Sequence, residues 1–411
     1  MRIAVVSSHF PVLSQTFVLN QITALIDAGH DVTIIASPPR DREPIHDDVE
    51  KYGLMDRVVY WEEADGLGPQ ARLQAAGRDL KGIGAFFRRG RVGLRNPGLL
   101  LAPGVATMQR RLRRAARLRG LPRFDAILAH FGTVAMECRI LREMGALEGP
   151  LATVFHGYDM SIIPRERGND FYSPLLRDGE LFLPISDFWR RRLLEMGAAE
   201  DKIRVHHMGI DPERFRFSPR RSQEGKGARI LTIGRFVEKK GIDDGIRAFA
   251  RIAGEFPAAR YTIIGDGELR GAMEELASTL GVAEKVDFVG WARREEVLEM
   301  IFAHDLLMVP SKVGSDGDME GIPVVLMEGM ATGMPVVSTE HSGIPELVAH
   351  QESGFLAPEG DVESLVKHLR WLLNSPQKWE VLGRRGRQIV EEEFSLHVLN
   401  ERLVQTLEAL G

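Results

Sequence analysis

Ile3-Ala-Val-Val-Ser7, Thr16-Phe-Val-Leu-Asn-Gln-Ile-Thr-Ala-Leu-Ile-Asp-Ala28-Gly29 and Val32-Thr-Ile-Ile-Ala36 open the chain and decide its fold class. The first and third are short unbroken apolar runs, as strands buried on both faces require. Between them Phe17, Ile22, Leu25 and Ile26 recur at helical spacing, and Gly29 ends the helix. The unit repeats. Further strands are predicted at 126–129, 152–155, 181–185 and 203–207, with helices between them. Alternation of this kind specifies an α/β fold with a parallel sheet covered on both faces.

Around 207–219 the pattern breaks into Met-Gly-Ile-Asp-Pro and Ser-Pro-Arg, and 222–227 is polar and Gly-bearing, which marks a domain boundary. Alternation restarts with strands at 229–234, 261–265, 286–290, 306–310 and 336–339, and helices starting at Ile242, Leu269, Glu295 and about Ile322. Two doubly wound, Rossmann-like domains follow: 1–210, with a basic insertion at about 70–123, and 220–395. A C-terminal helix at 396–411 is expected to pack back on the first domain. In such folds ligands bind beyond the C-terminal ends of the strands.

Composition agrees. At 411 residues the chain is too long for one small module, and 44% hydrophobic with 27% charged residues excludes a disordered or fibrous chain. The single cysteine, Cys138, cannot form an intrachain disulfide, so a reducing, cytoplasmic setting is expected. The apolar stretch from Ile3 ends at Ser7, far short of a signal-peptide core or the roughly 20 residues that span a bilayer. The net charge of −5 conceals an asymmetry: residues 72–123 carry +13, so the remainder carries −18. Within that block Met108, Leu112, Ala115 and Leu118 fall near helical spacing among Arg110, Arg111, Arg113, Arg114 and Arg117. We read this as a cationic amphipathic helix whose arginines face an anionic membrane, placing the protein on the inner face of the cell membrane. A nucleic-acid partner is not expected, because only Phe86 and Phe87 supply aromatic faces in the block.

Two motifs carry chemistry. Gly234-Arg-Phe-Val-Glu-Lys-Lys-Gly241 follows a strand, and Arg235 and Lys240 can bring a guanidinium and an ammonium onto one diphosphate beside a helix N-terminus. Glu320-Gly-Ile-Pro-Val-Val-Leu-Met-Glu328 has Pro323 suited to a first helical turn. Were the segment wholly helical, its two carboxylates would stand about 12 Å apart along the axis and within about 80° of each other, a span comparable to a nucleotide sugar. Asp316-Gly-Asp318 sits in a Gly-rich loop and reads as a turn, so no metal or other cofactor is expected.

Together with Ile-Gly-Asp-Gly at 264–267, Met-Pro-Val-Val-Ser at 334–338 and Gly-Ile-Pro-Glu at 343–346, these motifs resemble those of the retaining GT-B glycosyltransferases of family 4. Phe10-Pro-Val-Leu-Ser-Gln-Thr-Phe17, His156-Gly-Tyr-Asp159, Ser186-Asp-Phe-Trp and Val205-His-His-Met-Gly-Ile-Asp211 resemble the exopolysaccharide branch that includes colanic acid and amylovoran transferases. The resemblance covers the chain except the basic block. It implies transfer of a hexose from a nucleotide-sugar, by default a UDP-sugar, to a lipid-linked or oligosaccharide acceptor. It further implies donor binding by Gly234, Arg235, Lys240, Gly265, Trp291, Gly321, Ile322, Pro323 and Glu328. Glu320 would hold the transferred sugar, with His156 and Asp159 across the cleft, while Ser14 and Thr16 would contact acceptor or phosphate. Relatives place a Gly-Gly pair in that last loop, and this chain has none.

A nucleotide-sugar epimerase of the same architecture is the alternative, as is, more distantly, a nucleic-acid binder using the basic block. A dinucleotide fold is disfavoured because Gly265-Asp-Gly-Glu-Leu-Arg270 lacks the third glycine of the fingerprint.

Overall fold

The computed structural model describes residues 1–12, 15–39, 45–62, 105–221 and 227–411. Ser14 and the part of the basic block from 70 to 104 lie outside them. The first sheet contains β1 (Arg2–His9), β2 (Asp31–Ser37), β3 (Val58–Tyr60), β4 (Ala126–His130), β5 (Leu151–Phe155) and β6 (Leu181–Pro184) in the order 3-2-1-4-5-6. Its pairs are parallel, with Ile3 opposite Val32 on one side and Ala126 on the other. The second contains β7 (Arg229–Ile233), β8 (Arg260–Ile264), β9 (Val286–Gly290), β10 (Leu306–Val309), β11 (Val336–Thr339) and β12 (Gly354–Ala357) in the order 12-11-10-7-8-9. β4, β5, β6, β10, β11 and β12 are buried along their whole length, which is why they read as unbroken apolar runs.

Three expectations change. Residues 203–207 form no strand: Ile203 makes only an isolated bridge to Phe182. β3 and β12 were not foreseen; β12 is Gly-Phe-Leu-Ala, in which the leading glycine leaves only three apolar residues. The helix expected from about Ile322 is Val324–Ala331, with Pro323 as its cap residue, so Glu320 lies in the preceding loop while Glu328 is helical. The two carboxylates therefore do not share a helix face.

The chain passes between the domains at Ile210 and returns at Ser395, and the two crossings pair. Ile210 N–H donates to Phe394 O at 3.0 Å and Leu396 N–H to Ile210 O at 2.8 Å. The last helix, Leu396–Glu408, buries Leu399, Leu403 and Leu407 at i, i+4 and i+8. Leu403 and Leu407 join the core of the first domain, where this helix lies against Thr16–Asp27. The C-terminus thus straps the second domain to the first.

Leu403→Ala removes a side chain that is 1% exposed. It should cost about 2–5 kcal/mol, read as a fall in the urea midpoint; an unchanged midpoint would show the strap to be dispensable.

Candidate active site

The C-terminal ends of both sheets border one cleft of about 760 Å³, lined from the first domain by Thr16, His156 and Gly157 and from the second by Lys239, Glu320, Gly321, Ile322 and Glu328.

On the second-domain side, the loop after β7 is pinned by Phe236, which is buried and donates its N–H to Asp266 O at 2.8 Å. Gly265 has φ +132°, and a Cβ there would stand 2.0 Å from Gly234 O. Only glycine lets the β7 and β8 loops converge. The 3₁₀ turn Glu238–Lys240 then brings both ammoniums to Glu320. Lys240 Nζ lies 3.2 Å from Glu320 Oε2, and Lys239 Nζ lies 3.7 Å from Oε1 and 2.7 Å from Asp318 Oδ2. Burial works to raise the Glu320 carboxyl, but Lys240 and Lys239 outweigh it and hold the carboxyl below its usual range. Arg235 is exposed, and no described residue pairs with it.

Glu328 differs. Burial holds its carboxyl above the usual range, only partly opposed by Arg294, and its side chain accepts no hydrogen bond from a described residue. It is a half-buried acceptor lining the cleft.

On the first-domain side, His156 ends β5 as the cap residue of the helix Gly157–Arg167. Phe17 and Phe131 sandwich its ring at centroid distances of 4.7 and 4.4 Å, and His130 Nδ1 lies 3.5 Å from its Nε2. Burial, with His206 nearby, pushes His156 down to about 3, so it works as a neutral imidazole. Asp159 does not line the cleft. It is 1% exposed, and its carboxylate accepts from His156 N–H at 2.7 Å and Gly132 N–H at 2.5 Å. The catalytic assignment of Asp159 is corrected: it positions His156. A short polar side chain three residues into a helix is placed to take the cap residue's N–H.

The domains touch where these halves meet. A Cβ on Gly157 would lie 3.1 Å from Met319 O and 3.3 Å from both Glu320 C and Gly321 N. A second contact, not foreseen, lies behind it. Glu346 of Gly343-Ile-Pro-Glu accepts from Asp187 N–H at 2.8 Å and Phe188 N–H at 3.1 Å, capping the helix Asp187–Glu195 of the other domain. His207 Nε2 lies 2.9 Å from the same carboxylate. The signal was present in both motifs, but sequence alone could not join residues some 160 positions apart.

Other assignments shift. Thr16 is the first residue of its helix, with Gln15 as cap, and lines the cleft. Trp291 follows β9 at the sheet edge, is 71% exposed and does not line the cleft. Lys239, passed over in favour of Lys240, does. Asp318 is committed to Lys239, and Asp316 Oδ1 accepts from Asp318 N–H at 2.8 Å. In the helix Val105–Leu118 two of the five arginines turn inward. Arg114, 9% exposed, bonds Glu62 at 2.7 Å and Glu137 at 3.1 Å and lies 4.5 Å over the Trp61 ring, while Arg111 reaches Glu137. Their assignment to a membrane is corrected, because both are committed to the half-buried carboxylates of Glu62 and Glu137.

Comparison with known proteins matches the chain to two family models: "Glycosyltransferase Family 4" over residues 14–214 and "Glycosyl transferases group 1" over 214–389. Among curated relatives, the amylovoran biosynthesis glycosyltransferase AmsK of Erwinia amylovora is 38% identical, with all of both chains covered. The putative colanic acid biosynthesis glycosyltransferase WcaL of Escherichia coli is 37% identical over the same full extent. Among solved structures, sucrose-phosphate synthase of Thermosynechococcus elongatus aligns with TM-score 0.70 at 17% identity, covering 100% of this chain and 99% of the other. Anabaena HepE in complex with UDP aligns with TM-score 0.69 at 16% identity, with 99% of each chain covered. At such identities these two likenesses concern the fold, which is GT-B.

Removing the acceptor for two helix N-terminal amides costs about 1–3 kcal/mol per group left unpaired. Glu346→Ala should therefore loosen the domains, seen as a larger radius of gyration in small-angle scattering; an unchanged radius would show that Glu346 is no clamp.

Proposed function

The chain belongs to glycosyltransferase family 4, and from that premise we propose that it is a retaining hexosyltransferase of exopolysaccharide synthesis, moving a hexose from a UDP-sugar to a lipid-linked or oligosaccharide acceptor. The observation that carries this reading is the cluster Lys239, Lys240 and Glu320 facing neutral His156 across a cleft entered by both domains. In the reading, Glu320 accepts hydroxyls of the transferred sugar, and Glu328, a half-buried carboxylate that accepts no hydrogen bond from a described residue, accepts those of ribose. Arg235 and Lys240 take the diphosphate, with the N-terminal amides of the helix Val324–Ala331 directed at the same charge.

The reaction we propose is front-face. The anomeric carbon–oxygen bond to the diphosphate breaks, the acceptor oxygen bonds from the same face, and the departing phosphate oxygen takes the acceptor proton. His156, held neutral between two aromatic rings, orients hydroxyls. Negative charge accumulates only on the leaving group, where the cations already stand, so stabilisation is preorganised and uses protein cations in place of a metal. The resemblance between this chain and exopolysaccharide transferases supports the acceptor class, and His156 would bind the same substrate from the other side.

Arg110 and Arg113 lie on the exposed face of their helix. We propose that this face, without Arg111 and Arg114, meets the anionic leaflet where a lipid-linked acceptor resides.

A donor panel scored by nucleotide release with lipid-linked acceptor tests the main reading. Release from a UDP-hexose, insensitive to chelator, is expected, with Arg235→Ala and Glu320→Ala each slower by roughly 10²–10³-fold, as for loss of one charge-stabilising group. Loss of activity to chelator with recovery on manganese would overturn the metal-free step, and release without acceptor consumption would favour an epimerase. Cosedimentation with vesicles should rise with anionic lipid content and fall in Arg110→Ala/Arg113→Ala; binding indifferent to either would end the membrane proposal.

A further inference from the structure

The loop that carries Glu320 runs from the end of β10 to Pro323 and is fastened from behind by two residues to which nothing above gives a role. His341 and Glu359 each stand two residues beyond the ends of β11 and β12, which pair Thr339 with Ala357, so parallel pairing sets them side by side. His341 is fully buried. Its Nε2 lies 3.0 Å from Glu320 N, and its Nδ1 lies 2.7 Å from Glu359 Oε1. The second carboxylate oxygen, Oε2, accepts from Val313 N–H at 2.9 Å.

These contacts fix the tautomer. A backbone N–H can only donate, so His341 Nε2 accepts and carries no proton. The neutral ring then bears its proton on Nδ1, where the Glu359 carboxylate receives it. One carboxylate therefore holds both ends of the segment 313–320, directly at Val313 and through the imidazole at Glu320.

We infer that Glu359 and His341 are a positioning relay that fixes the Glu320 peptide and thereby aims the Glu320 carboxylate at the sugar. The inference rests on the proposed role of Glu320. Neither residue touches substrate. Without the relay, Glu320 keeps its lysines, but its backbone is free to rotate beneath them. A displacement of about 1 Å at such a group costs about 10²-fold in rate.

Two replacements separate the relay from simple packing. Asn at 341 places its amide near the Nδ1 position and leaves Glu320 N–H without an acceptor; Gln places a carbonyl near Nε2 and restores one. His341→Asn and Glu359→Ala are expected to lower kcat for donor turnover by roughly 10- to 100-fold. Binding of UDP alone should stay within about twofold of native, and His341→Gln should recover most of the rate. In the unliganded protein, amide hydrogen exchange in a peptide spanning 313–322 should accelerate in His341→Asn and not in His341→Gln. Native turnover in His341→Asn, an equal loss in both His341 variants, or unchanged exchange at 313–322 would overturn the relay. If the native chain turns over no donor in the panel, the functional reading fails, and the exchange experiment still decides whether the relay holds the loop.

Discussion

Backbone meets backbone where the start of the helix Gly157–Arg167 faces Met319–Gly321, and the rest of the site depends on that approach. With 3.1 Å between Met319 O and the position a Cβ would take on Gly157, a side chain there would crowd the facing backbone. The contact brings His156 and Glu320, each next to a residue of the contact, to opposite walls of one cleft. A pair of independent Rossmann-like domains would offer two half-sites; the touching backbones make them one. Because the approach is made by main chain, its geometry depends on the sheets that launch each loop and on the His341 and Glu359 side chains that fasten the 313–320 loop from behind.

Charge is distributed unequally across this contact. The second domain contributes two ammoniums, a carboxylate they hold ionised, and an exposed guanidinium. The first contributes an imidazole that burial keeps neutral. A neutral imidazole opposite the charged cluster suits the proposed reaction, in which charge builds at one end of the substrate and the other end presents hydroxyls. In the proposed reaction, a formal cation at His156 would draw the donor diphosphate toward the wrong wall. The aromatic sandwich of Phe17 and Phe131 thus has an electrostatic consequence, since it raises the cost of protonating His156.

Legibility in the sequence followed period and contiguity. β1, β2, β4 and β5 are near-continuous apolar runs, and the first three strands of the second domain are similar, so both sheets could be read almost strand by strand. β3 has only three residues, and β12 opens on a glycine that leaves Phe-Leu-Ala as its apolar run. The stretch at 203–207 reads as a short strand-like run, yet among the described residues it pairs only through one bridge, from Ile203 to Phe182. In the site, residues inside one motif were visible, Glu320 and Lys240 above all. What escaped were partnerships between motifs: Glu346 with the Asp187 helix, and Glu359 with Glu320 through His341. Asp159 shows the opposite error. A carboxylate near a candidate catalytic histidine looks like chemistry until its oxygens are seen to serve backbone N–H groups.

The basic block carries the same lesson about charge. Counted along the chain, fourteen cations against one acid suggest a surface waiting for an anion. Folded, Arg114 lies between Glu62 and Glu137, neither of which belongs to the block, with the Trp61 ring beneath its guanidinium. Burial disfavours the Glu62 carboxylate, and Arg114 more than compensates, holding it below the usual range. Part of the sequence-level asymmetry is therefore internal neutralisation across elements that are distant in the chain. A local count treats every cation as uncommitted, whereas the surface an anionic partner meets is what remains after buried acids have taken their share. On the helix Val105–Leu118 the side chains of Arg110 and Arg113 stay exposed, about one turn apart on a single helical face, although Arg110 still stands 3.9 Å from Glu62.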